Sequence, residues 1–171
     1  MKNKNIFIIV ISIILIYNIN VSAIEWNVNR NEVIFEEKDN IMLLDEDVVV
    51  CRDYKFDMEF NIFYNFEKYK LDSVFYNSYT KFDNKENYLD EYKVYKHYLT
   101  KEYGNPFFDD VVWLADEDLE LILPKDMNSV SWGLCKYLTK WKTKDSIISV
   151  GLWGEDGKIK LFLNYKRREL K

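Results

Sequence analysis

The chain holds 171 residues, with 24 basic and 29 acidic side chains, a net charge of −5, and 17% aromatic residues that include 13 Tyr and 11 Phe. An acidic balance repels phosphate backbones and anionic lipid surfaces, which argues against nucleic-acid and membrane-surface partners. With only 5 Gly and 2 Pro, the composition excludes low-complexity and disordered classes.

The N-terminus reads as an export signal. Lys2 and Lys4 form a short basic start, Ile6 to Tyr17 is apolar apart from Ser12, and Val21-Ser22-Ala23 sets small residues at a cleavage site. The apolar run falls short of the roughly 20 residues that a membrane-spanning helix needs. The expectation is a signal peptide over 1–23, cleaved after Ala23, which leaves 24–171 as a single α+β domain in the periplasm or outside the cell. No stable membrane span is expected after cleavage. No Cys follows the apolar run, the first being Cys51, so a lipid anchor is not expected. Loss of Lys2 and Lys4 leaves 22 basic residues against 29 acidic ones, a net charge near −7.

After Trp26, Asn29 and Glu32 have the spacing of a capping box, which predicts a short helix through Val33 and Ile34, ending among Glu36, Glu37 and Lys38. Val48-Val49-Val50 is β-branched. From Phe56 the pattern alternates: Phe56, Met58, Phe60, Ile62, Tyr64 and Phe66 fall on one side, Asp57, Glu59, Asn61, Asn65 and Glu67 on the other. A period of two with one wet face predicts an antiparallel strand. A turn over 67–70 and a returning strand over 71–79 follow. Asp83 or Asn84 can cap a helix over about 84–103, whose stripe of Tyr88, Tyr92, Tyr95, Leu99 and Tyr103 has helical spacing. Gly104 supplies its left-handed end, and Pro106 prevents continuation. Val111-Val112-Trp113 and Leu119 to Leu123 suggest short strands and loops. Three strands are expected at roughly 130–142, 146–153 and 158–166, the last two joined by a turn at Asp156-Gly157. Lys166-Arg167-Arg168 reads as a solvated terminal cluster.

The halves share an order of helix then antiparallel run. Glu67-Lys68-Tyr69-Lys70-Leu71 lies over Glu155-Asp156-Gly157-Lys158-Ile159. The expected architecture is a two-layer sandwich, an antiparallel sheet with helices on one face, built from a duplicated helix-plus-strands unit with half-repeats 24–80 and 84–166. Trp26, then Glu32-Val33 in a capped helix, then strands and a helix closing in Tyr103-Gly104-Asn105-Pro106, resembles small exported bacterial domains. The pattern is similar to the tandem-repeat fold of β-lactamase-inhibitor-like proteins and SmpA/OmlA-type outer-membrane lipoproteins. Two features depart from it: Lys38-Asp39-Asn40 stands after the first helix where Gly-x-Pro would be, and the lipoprotein cysteine is missing. The resemblance implies a protein-binding role.

The chain contains one histidine, His97. A zinc shell or a Ser-His-Asp or Cys-His relay would need more than it supplies. Its helical phase, opposite the tyrosine stripe, turns it toward water among Lys93, Lys96 and Lys101. Three acidic groups stand out: Asp45-Glu46-Asp47, Asp109-Asp110, and Asp116-Glu117-Asp118 with Glu120. They lack the spacing of a calcium loop and read as solvated loops. Glycines 104, 133, 151, 154 and 157 are scattered and form no phosphate loop. Cys51 and Cys135 leave two states open, one bridge or two buried thiols. Trp113, Trp132, Trp141 and Trp153 read as core, with Trp153, beside the hairpin, the best placed for exposure. No catalytic residue, metal or cofactor is expected. The reading is a non-enzymatic interaction module meeting another envelope or exported protein through a sheet face or loops. The alternative is a hydrolase working with carboxylates alone.

Overall fold

The computed structural model describes residues 24–55, 58–116, 118 and 122–168. The expected signal peptide at 1–23 lies outside them, as do Phe56, Asp57, Glu117 and Leu119 to Leu121.

The elements run α1 (Arg30–Glu36), β1 (Ile41–Leu44), β2 (Val48–Lys55), β3 (Met58–Glu67), β4 (Lys70–Ser78), α2 (Glu86–Tyr103), β5 (Phe108–Trp113), α3 (Met127–Ser131), β6 (Cys135–Lys142), β7 (Ser146–Glu155) and β8 (Lys158–Arg167). All eight strands form one antiparallel sheet in the order β1-β2-β3-β4-β8-β7-β6-β5. Two four-strand meanders therefore meet along their last strands, β4 and β8, in the middle of the sheet.

Local chemistry sets the helix ends. The Asn29 side chain accepts from the Asn31 and Glu32 amides, and the Glu32 carboxylate accepts from the Asn29 amide at 2.7 Å, so the capping box closes on both sides. Asn84 accepts from the Glu86 amide at 3.1 Å and opens α2. Gly104, at φ 79°, ends it. The turns Lys68-Tyr69 and Asp156-Gly157 hold positive φ at both central residues, the geometry that matches strand twist in a two-residue hairpin.

The side chains that meet the helices share one side of the sheet. Tyr95 meets Phe60, Tyr92 bonds Thr139, the Trp141 indole donates to the Gly104 carbonyl, and Tyr64 donates to Glu37. This side holds the buried core: Met58, Phe60, Ile62, Val74, Ile148, Val150, Leu152, Leu161 and Trp141. The tyrosine stripe of α2 behaves as its spacing requires, with Tyr88, Tyr92, Tyr95 and Leu99 all buried.

The structure corrects several expectations. Residues 127–131 are helical, and the strand expected from 130 begins at Cys135. Asp126 caps α3 by accepting from the Asn128 and Ser129 amides, and Gly133 at φ 74° releases the chain into β6. Ile41–Leu44, which has no alternation, pairs with β2 as an edge strand. Lys166 and Arg167 belong to β8, and Lys166 pairs with Asp72. Arg168 donates to the carbonyls of Thr143 and Lys144. The basic terminal cluster is thus tied to the sheet, because β8 runs on far enough to reach partners on both flanks.

Candidate functional site

Alternation gives β2, β3, β4 and β8 a second face. There Phe63 stands opposite Phe75 and Val50, and Asn77 stands opposite Phe162. The three phenylalanine rings form a run. Phe63 and Phe75 lie 6.1 Å apart between centroids, and Phe75 and Phe162 stack at 5.9 Å. All three are half-buried. Each stands at a position whose strand neighbours on that face are polar: Asn61 and Asn65 beside Phe63, Ser73 and Asn77 beside Phe75, Lys160 and Asn164 beside Phe162. Leu43, 54% exposed, extends the run toward the β1 edge through Val50.

Gly151 lets Phe162 lie flat. It is the cross-strand partner of Phe162, and a Cβ there would stand 2.6 Å from that ring and 2.4 Å from the Tyr137 carbonyl oxygen. An aromatic ring across from a strand glycine covers backbone that the glycine leaves bare. Beyond Gly151 the same row continues to Leu138 on β6 and Asp110 on β5.

The same face is cationic over β5–β8. Lys140 holds its ammonium 5.6 Å from the Phe108 ring centroid, and Lys160 sits at 5.6 Å from that of Trp153. Lys136 stands two residues from Leu138 and points to the same side. None of these three lysines has a carboxylate within ion-pair distance among the described residues, whereas Arg52, over β2, is held by Glu59 at 3.8 Å.

Among the described residues, those singled out in the sequence do not converge. His97 is exposed on α2, its ring 5.9 Å from that of Tyr98. Asp109 is engaged: Lys96 pairs with one oxygen, and the buried Thr139 hydroxyl donates to the other at 2.8 Å. Asp110 accepts from the next backbone amide. The Asp45 carbonyl takes the Arg30 guanidinium. Among the described residues no three His, Cys, Asp or Glu side chains converge on a metal-sized space. The Asp145 carboxyl is held below its ordinary range by the Thr143 hydroxyl and then by that of Ser146, the opposite of what a general acid needs.

Cys51 and Cys135 are both buried and free. They sit on β2 and β6, with β3, β4, β8 and β7 between them. Five strand spacings amount to about 24 Å, far beyond the roughly 7 Å limit for a bridge. This settles the open choice in favour of two thiols. Burial, then the Glu37 and Asp53 charges, push the Cys51 thiol up to about 11, so it is inert as a nucleophile. Of the tryptophans, Trp141 is core, while Trp113 and Trp153 are half-buried. Trp132, not Trp153, is the exposed one, at 65%, because the α3 end turns it outward.

What sequence reading missed is the phenylalanine run. Its signal was available: each Phe is the apolar residue at a polar position of its strand. Among the described residues no helix is long and apolar enough to cross a membrane. Comparison with known proteins finds no matching family model, no matching curated protein and no matching solved structure.

Proposed function

We propose that this chain is a small exported, non-enzymatic interaction module of the bacterial envelope or exterior, which meets another envelope or exported protein through the sheet face opposite its helices. The observation that carries the reading is the Phe63–Phe75–Phe162 run on that face. Aromatic rings spaced by amide and hydroxyl side chains offer large, stiff contact area with adaptable hydrogen bonds at its rim. The engaged state of Asp109 and the lowered titration of Asp145 favour binding over carboxylate hydrolysis.

The same reading takes the domain as a two-layer sandwich made of a duplicated unit. Three features support it. Each half runs from a helix into a four-strand meander, the two tight turns share one geometry, and the last strands of the halves meet antiparallel. Such an internal two-fold brings both meanders onto one continuous face.

The test compares the wild-type domain with a Phe63→Ser/Phe75→Ser variant, using His97→Ala as a control. A protein captured from the cell's own envelope, then purified, should bind the wild type and the control and lose the double variant. Retained binding by a folded double variant refutes the role of this face. N-terminal sequencing of the exported product should read Ile-Glu-Trp, and a membrane-bound product that retains Met1 to Ala23 refutes cleavage after Ala23 in favour of an anchor.

A further inference from the structure

The chain is acidic overall, yet the sheet face over β5–β8 gathers lysines that pair with no carboxylate among the described residues. Continuing the β6–β7 register by one residue beyond Tyr137 and Leu152 sets Lys136 beside Trp153, whose other neighbour is Lys160. On the far side of the Phe162–Gly151–Leu138 row stand Asn164, Ser149 and Lys140. An apolar row is thereby flanked by ammonium groups on both sides. Two of those ammoniums rest over aromatic rings, which fixes their position without neutralising them. Lys166, on the same strand as Lys160, shows the contrast, since Asp72 pairs with it. Two acids share this face among the described residues: Asp110 ends the Leu138 row on the edge strand, diagonal to Lys136 and Lys140, and Glu155 stands at the hairpin.

From this arrangement we propose that the β5–β8 face is the docking surface for an acidic protein segment. Its carboxylates would meet Lys136, Lys140 and Lys160, and an apolar side chain would lie on the Phe162–Gly151–Leu138 row. This rests on the reading of the sheet face as the binding surface, and it names the partner's chemistry. Charge selects the class of partner. A nucleic acid, a sulfated polysaccharide or an anionic bilayer brings many charges over a wide area, and a chain with a net charge near −7 after cleavage repels them. A short acidic segment places a few carboxylates within a screening length of about 8 Å of the lysines and leaves the rest of the acidic surface out of range. Complementary local charge against an apolar centre fixes orientation as well as attraction.

The experiment uses the purified domain and four probes: a soluble peptide of alternating Glu and Phe, its Lys-for-Glu counterpart, heparin, and phosphatidylglycerol vesicles. The Glu–Phe peptide should bind, weaken as salt is raised, and bind about tenfold less well to Lys136→Gln/Lys140→Gln/Lys160→Gln. The variant should keep the wild-type circular dichroism and melt only slightly lower, since among the described residues these side chains pair with no carboxylate and lose only the contacts of Lys140 with Phe108 and of Lys160 with Trp153. Charge reversal at the same three sites should transfer binding to the Lys–Phe peptide. Equal binding of both peptides to wild type, or no loss in the Gln variant, overturns the acidic-segment proposal. If Phe63→Ser/Phe75→Ser still abolishes capture of the envelope protein in that case, the binding face stands without it. Tighter binding of heparin or vesicles than of the Glu–Phe peptide overturns it in favour of a polyanion or a membrane. Absence of any binding by the Glu–Phe peptide overturns it outright.

Discussion

Gly151 and Tyr69 show how single positions set the sheet's geometry in opposite ways. At Gly151 there is no room, because a Cβ would press on the Tyr137 carbonyl and the Phe162 ring at once. A carbonyl inside a ladder cannot swing aside as a flexible side chain can. Gly151→Ala should therefore cost about 1–3 kcal/mol, read as a lowered midpoint in urea. Tyr69 has the opposite defect. It is 78% exposed and holds φ 67°, a conformation that costs an L-residue roughly 1–2 kcal/mol. Glycine removes that cost and loses part of the gain to chain entropy. Tyr69→Gly should then stabilise the domain by about 1 kcal/mol, seen as a higher melting temperature, and an unchanged or lower one would contradict the turn assignment. Cys51 and Cys135 give a third residue-scale outcome. A thiol reagent should label them only after denaturation, and reductant should leave the melting temperature unmoved, since no bridge joins them.

α2 is fastened to the sheet by two kinds of contact. Its apolar stripe buries Tyr88, Tyr92, Tyr95 and Leu99. A polar chain adds register: the Tyr92 hydroxyl meets that of Thr139, which donates to Asp109, and Asp109 pairs with Lys96 one turn further along the helix. Helix, edge strand β5 and strand β6 are thus held by one buried hydroxyl. Thr139→Val keeps the shape and removes the link, leaving the Tyr92 hydroxyl without its partner. The expected cost is about 1–3 kcal/mol, with Thr139→Ser restoring most of it. Leu99→Asp should cost roughly 4 kcal/mol, combining a lost apolar side chain with a buried charge. His97→Ala, on the exposed side, should stay within about 0.5 kcal/mol. The reverse ranking of Leu99 and His97 in chemical denaturation would mean that the helix is rotated. The α2 stripe, its glycine end and both capping signals were legible because they depend on contacts a few residues apart. α3 carried the same signals, Asp126 and Gly133, but the apolar pattern after Val130 drew the strand reading across them. Its five residues are too few for a helical period to show, and packing on Gly154 fixes them: a Cβ at Gly154 would stand 2.2 Å from the Val130 carbonyl.

Across the whole molecule, the tyrosines under the helices tie stability to alkaline pH. Burial is the leading cause of the raised titration of Tyr64, Tyr76, Tyr92, Tyr103 and Tyr165, with Tyr92 and Tyr103 pushed up to about 12. An unfolded tyrosine titrates near 10, so above that pH the unfolded chain releases protons that the folded chain keeps. Stability from this source is complete below pH 10 and declines as pH rises toward the folded values. The decline is up to about 1.4 kcal/mol per pH unit for each proton retained. The phenolate absorbance of the buried set should rise together with the loss of circular dichroism, and a rise that precedes unfolding would contradict the burial. By itself the sequence determined the antiparallel strands β2, β3, β4, β7 and β8, the two main helices, their ends and the two tight turns. Those features follow from side-chain period and from backbone preferences within a few residues. It also determined that one histidine cannot furnish a zinc shell. Only the tertiary structure decided that β4 and β8 meet in the middle of the sheet. That pairing sets Cys51 and Cys135 far apart, and it assembles Phe63, Phe75 and Phe162 from three strands into one run. Pairing between strands distant in sequence is selected by the fit of whole faces, and no local pattern of residues carries that information.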